Sequence, residues 1–88
     1  NSLKSINVVD VNNVEEADLR YPITLLCVNE QGEHLVVQAV SPVALKNYLK
    51  DKPVKDVYAM YVFGRRVAFK DMRHLERILE LNFSGEKV

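Results

Sequence analysis

Apolar and polar positions alternate with a period near two in several short stretches, and two longer stretches repeat every three or four residues. Residues 5–11, SINVVDV, carry the β-branched content of a short strand. NNVEEADLRYP mixes turn formers with acids and ends at Pro22, which predicts a connector containing at most a helical turn. The run ITLLCVN from Ile23 to Asn29 and the run HLVVQAV after Gly32 are strands, and Glu30 to Glu33 is a four-residue turn between them. Ser41 followed by Pro42 starts a helix, because a serine hydroxyl satisfies free backbone N–H groups and proline at the first helical position loses no bond. Leu45, Tyr48 and Leu49 fall on one face, and Pro53 ends the helix near Lys52.

The same order then recurs. VYAMYVF, a Gly64-Arg65 turn of type II′ and RVAFK form a second hairpin. Asp71 caps a second helix whose Met72, Leu75, Ile78 and Leu79 share a face, with Gly85 just beyond its end. Sliding the chain by thirty positions (71 against 41) sets Ser41 on Asp71, Leu45 on Leu75, Tyr48 on Ile78, Leu49 on Leu79 and Val37 on Val67. One hairpin and one helix bury too little alone. The expected fold is therefore α+β: a two-layer sandwich with an antiparallel sheet from two β-hairpins and both helices on one face, a ββαββα pseudo-repeat with an extra N-terminal strand. The 88 residues form one domain, comprising residues 1–22 as strand and connector, 23–52 as the first hairpin-helix unit and 57–84 as the second.

Strand parity exposes a chemical contrast in the second hairpin. With Gly64-Arg65 as the turn, Phe63 opposes Arg66, Tyr61 opposes Ala68 and Ala59 opposes Lys70, while Val62 opposes Val67 and Met60 opposes Phe69. The wholly apolar set lies under the helices. Tyr61, Phe63, Arg66 and Lys70 then face away from them, with Arg65 beside them in the turn. Aromatics next to arginine are the residue types favoured in protein interfaces, so this face is the candidate partner-binding surface, for another protein or a second copy of the chain.

Charge sharpens that expectation. Twelve basic residues balance twelve acidic ones, but residues 1–40 are acidic and residues 41–77 basic. A dipolar chain of zero net charge suits an oriented contact with an acidic partner, or self-association into a homodimer, better than general nucleic-acid coating. Nucleic acid is the alternative: bases stacked on the aromatics, with Lys46, Lys50, Lys52, Lys55, Arg73 and Arg77 neutralising phosphates.

Chemical motifs are sparse. The four-residue turn would place Cys27, Asn29 and His34 on one strand face, a nucleophile, orienter and base, but no glycine-rich loop or helix start stands nearby to hold an oxyanion. His34 and His74 lack further ligands, and the three glycines are isolated, so no catalytic residue, metal or cofactor is expected. A lone cysteine excludes an internal disulfide. No apolar run approaches the length of a membrane span and Asn1 to Arg20 does not read as a signal peptide, so the expected location is the cytoplasm. Asn1 is a poor context for methionine removal, which points to a trimmed start or a piece of a longer protein. The expected function is a small non-catalytic interaction module: a regulator, inhibitor or accessory subunit.

Overall fold

The computed structural model describes residues 3–80. In chain order these form β1 (Ile6–Asp10), a 3-10 segment (Val11–Glu16), β2 (Ile23–Asn29), β3 (His34–Ala39), α1 (Pro42–Asp51), β4 (Val54–Val62), β5 (Arg65–Arg66) and α2 (Met72–Leu79). The strands make one five-stranded sheet in the order β1-β3-β2-β4-β5, each neighbouring pair antiparallel. The fold is α+β. The N-terminal strand joins the free side of the first hairpin, and the two hairpins meet where β2 pairs with β4.

Local chemistry sets both helices. The Ser41 hydroxyl accepts from the Ala44 N–H at 3.1 Å and Pro42 opens α1. Asp71 accepts from the His74 N–H at 2.9 Å, and His74 Nδ1 accepts in return from the Lys70 N–H at 2.9 Å, so the start of α2 is capped from both directions. Glu80, in the left-handed conformation (φ +57°), closes α2 after Leu79. The helix therefore stops short of the end expected beside Gly85, and Gly85 and residues 81–84 of the second unit lie outside the described residues.

One cluster unites the helices with one side of the sheet. Alternate residues of the central strands, Ile23, Leu25 and Cys27 of β2, Val37 and Ala39 of β3 and Met60 of β4, pack against Leu45 and Leu49 of α1 and Leu75 of α2. Each fully buried leucine contributes about 1.5 to 3 kcal/mol of transfer free energy. Val67, Phe69, Met72 and Leu79 pack at the margin.

The other side of the sheet is covered at one end. β1 and β2 both flank β3, so residues 11–22 must cross β3 to connect them. They cross on the side away from the helices, tied by Gln38, which is 3% exposed. Its Oε1 accepts from Asn7 Nδ2 (2.8 Å) and from the Asp18 N–H (2.9 Å). Its Nε2 donates to the Asp18 carbonyl (2.8 Å) and to Thr24 Oγ1 (3.3 Å). Tyr21, also buried, donates to the Lys4 carbonyl at 2.8 Å. Hydrogen bonds from the Arg20 side chain and backbone hold the Asp18 carboxyl down to about 2.

Both hairpin registers differ from the sequence expectation. In the first, Val28 pairs with His34 and Cys27 with Leu35. Asn29 ends β2 opposite Glu33 and anchors the turn: its Oδ1 accepts from the N–H groups of Gln31 (3.0 Å) and Glu33 (2.8 Å), and its own N–H donates to the Glu33 carbonyl at 3.0 Å. Only Glu30, Gln31 and Gly32 remain in the loop, with Gly32 at φ +83°, the left-handed residue such a three-residue loop requires. In the second hairpin the loop is Phe63-Gly64, with φ +48° and +79°, the two positive angles of a type I′ turn. Val62 thus pairs with Arg65 and Tyr61 with Arg66, replacing the Gly64-Arg65 turn and its Phe63–Arg66 pair. The Val67 N–H still donates to the Met60 carbonyl at 2.9 Å, after which the chain leaves the sheet. The two hairpins are consequently unequal: β3 runs six residues and β5 two.

Candidate partner-binding face

The shift of the second hairpin moves the turn by one residue and changes the pairing by two, so Tyr61 and Arg66 keep their expected face. Tyr61 and Arg66 stand directly opposite each other on the side away from the helices, Tyr61 half-buried and Arg66 exposed. Phe63 sits in the turn, 72% exposed. Arg65 pairs with Val62 and so lies on the helix side of the sheet, apart from Arg66. Lys70 is exposed in the segment leading to α2, and no strand pairing sets it opposite Ala59. The candidate set is therefore split: Tyr61, Phe63 and Arg66 are neighbours, while Arg65 and Lys70 stand elsewhere.

A β-bulge adds residues that parity alone misses. The register between β2 and β4 shifts between Leu26 and Cys27, where Leu26 pairs with Ala59 but Cys27 pairs with Val57. The extra residue is Tyr58. An unbroken strand would send it inward with Met60; the bulge instead buries Val57 and leaves Tyr58 41% exposed on the same side as Tyr61. Its hydroxyl lies 3.5 Å from His34 Nδ1, with ring centroids 6.0 Å apart. Half-buried Leu26 and Val28 of β2 complete the patch. The crossing connector shields the β1–β3 end of this side, so the aromatic strip lies at the uncovered end.

A second apolar feature adjoins Phe63. Pro22, Pro42, Met60, Val67 and Leu79, among the described residues, line an open groove whose rim includes Phe63. Apart from Arg66, the cations expected to neutralise phosphates are spread over other elements. Lys46, Lys50, Arg73 and Arg77 stand on the helices, which cover the opposite side of the sheet, while Lys52 ends α1 and Lys55 lies in β4.

The register of the first hairpin dismantles the nucleophile arrangement. Cys27 faces the helix-side core and His34 the opposite side, so Cys27, Asn29 and His34 do not share a face. Cys27 is fully buried, its Sγ 3.7 Å from the Leu35 carbonyl, and burial pushes its thiol up to about 11. At neutral pH it is a protonated, inert packing group. Native protein should resist alkylation by iodoacetamide at pH 8, and denatured protein should react; mass spectrometry of labelled chains reads the difference. Because the folded thiol ionises less readily than the unfolded one, this residue's contribution to stability is complete below the unfolded value and declines as pH rises from about 9 to 11. His74 is occupied in the cap of α2, and no group of three or more metal-ligating residues occurs among the described residues. No described helix is long and apolar enough to cross a membrane. Compared with known protein families, curated proteins and solved structures, the chain gives no match.

Proposed function

We propose that the protein is a small non-catalytic interaction module, a regulator, inhibitor or accessory subunit that acts by occupying a partner protein's surface with the strip Tyr58, Tyr61, Phe63 and Arg66. The observation that carries this reading is Phe63. A bulky residue at φ +48° is disfavoured by about 1 kcal/mol relative to glycine or asparagine, the residues suited to a type I′ turn, and its ring is 72% exposed. The ring lies at the rim of the apolar groove and outside the core cluster. Strain at an exposed residue is the mark of a position kept for contact. The reading includes a cytoplasmic setting, where an unpaired thiol such as Cys27 stays reduced. Separation of the helix cations from the aromatic strip favours a protein partner over nucleic acid, since a single-strand binder needs stacking rings and phosphate-binding cations along one path.

Phe63→Asn should have opposite effects on folding and binding. Stability should rise by up to about 1 kcal/mol as the strain is relieved, while partner affinity falls by about 1 to 2 kcal/mol, the usual cost of truncating an interface aromatic. Denaturant titration and calorimetry with a partner captured on the immobilised chain measure both. Capture should survive nuclease, and Arg66→Gln should leave the salt dependence of affinity nearly unchanged; a reduced slope of log affinity against log salt would identify a phosphate contact instead. If Tyr61→Ala, Phe63→Asn and Arg66→Gln all fold and bind as the parent does, this face is ordinary sheet surface.

A further inference from the structure

The two borders of the sheet differ. Along β4, β5 covers Tyr61 and Val62, Pro53 stands immediately before the strand, Lys55 and Asp56 lie within it, and two register shifts break its pleat. Proline, charge and bulges are the devices by which exposed strand borders avoid joining other chains. β1 has neither proline nor bulge. Its five residues pair with β3 without interruption, and Val8 at its centre is 40% exposed.

Hydrogen-bond geometry makes this border self-complementary. The Val40 N–H donates to the Ser5 carbonyl at 3.1 Å. Antiparallel ladders alternate pairs that exchange both bonds with pairs that exchange none, so the observed register turns the backbone groups of Asn7 and Val9 toward β3 and those of Ile6, Val8 and Asp10 outward. These outward residues are symmetric about Val8. A second β1 laid antiparallel on a twofold axis sets Val8 against Val8 of the other copy and Ile6 against Asp10. Charge follows the same symmetry, because Lys4 of each copy falls diagonal to Asp10 of the other on one face, about 7 to 8 Å away along the backbone and within reach of a lysine side chain. Ile6 and Val8 pair with Ala39 and Val37 and therefore lie on the helix side, next to a groove between β1 and α1 lined by Val40, Val43, Ala44 and Tyr48. Val43 is 67% exposed. Pairing across the axis brings the two grooves face to face and removes these valines from water.

We propose that β1 is a self-association edge: two copies of the chain pair β1 to β1, antiparallel about Val8, in a closed dimer with one continuous sheet. An isologous contact of this kind uses the same border of both copies and stops at two. The partner-binding strip belongs to β4 and the β4–β5 turn, at the other end of the strand order, and stays open in the dimer. The two readings thus stand or fall separately.

Sedimentation velocity and amide hydrogen exchange on the full chain test the dimer. Mass should double as concentration rises. The N–H groups of Ile6 and Val8 should gain protection in step, whereas those of Asn7 and Val9 are protected by β3 at every concentration. Val8→Lys places like charges opposite each other at an already exposed position and should raise the dissociation constant at least about tenfold. Lys4→Glu should raise it by a smaller factor, about threefold, and serves if Val8→Lys fails to fold by circular dichroism. A chain that stays monomeric to millimolar concentration overturns the proposal, as does a dimer whose Ile6 and Val8 amides exchange as fast as the monomer's. Open-ended growth beyond the dimer also overturns it.

Discussion

A fragment of residues 54–88 is expected to be largely unfolded, although it contains a whole hairpin-helix unit by sequence. β4 pairs with β2 along nearly its full length, from Val62 opposite Ile23 to Val54 opposite Asn29, but with β5 at only Tyr61 and Val62. Removing residues before 54 takes away the strand that organises β4 and leaves a short ribbon, which is marginal in water by itself. The fragment also loses Leu25, Val37, Leu45 and Leu49, the cluster partners of Met60 and Leu75. Circular dichroism should show mostly irregular chain, and the Met60 and Leu75 amides should exchange without protection. The intact chain should unfold in a single transition. A monomeric fragment with protected amides and a cooperative melt would falsify the view that both helices share one core.

Gln38→Ala is expected to destabilise the fold by about 2 to 3 kcal/mol, a large fraction of the roughly 5 to 12 kcal/mol available to a domain of this size. The carboxamide fills both acceptor and donor roles: it accepts from Asn7 and Asp18 and donates to Asp18 and Thr24. Alanine leaves the Asp18 N–H without its partner and the Asp18 carbonyl with only the 3.3 Å bond from the Tyr21 N–H, and each unsatisfied buried group costs about 1 to 3 kcal/mol. The connector lowers that penalty by lifting toward water. Lifting has its own signature: the Asp18 amide should lose protection and proteolysis should begin within residues 11–21 before global unfolding. Urea titration with peptide-level exchange measures both effects. A change below about 0.5 kcal/mol, with the Asp18 amide still protected, would show that packing of Tyr21 and Val9 holds the connector without Gln38.

The aromatic strip was partly legible from residue types alone. Tyr61, Phe63 and Arg66 followed from parity around a glycine turn, and an error of one residue in the turn's position left their faces intact because it changed the pairing sum by two. The same kind of error in the first hairpin changed that sum by one and moved His34 to the other face from Cys27. Tyr58 was hidden, since a bulge has no signature in alternating polarity. Lys70 joins the strip only if the final strand is long, and β5 is only two residues; Arg65 joins it only as a turn residue, and the observed turn is Phe63-Gly64.

Short-range forces determined what the sequence by itself specifies here: strand segments from β-branched runs, helix starts from Ser41-Pro42 and Asp71, and inward leucines from helical spacing. Each depends on sterics and hydrogen bonds within a few residues. Tertiary structure alone decided the bulge at Tyr58, the pairing of β1 with β3 and the connector's path across Gln38. These features arise from bonds and packing between residues far apart in the chain, such as Asn7 and Gln38 or Ser5 and Val40. Their free energies exist only once the sheet has assembled, so no local pattern in the chain announces them.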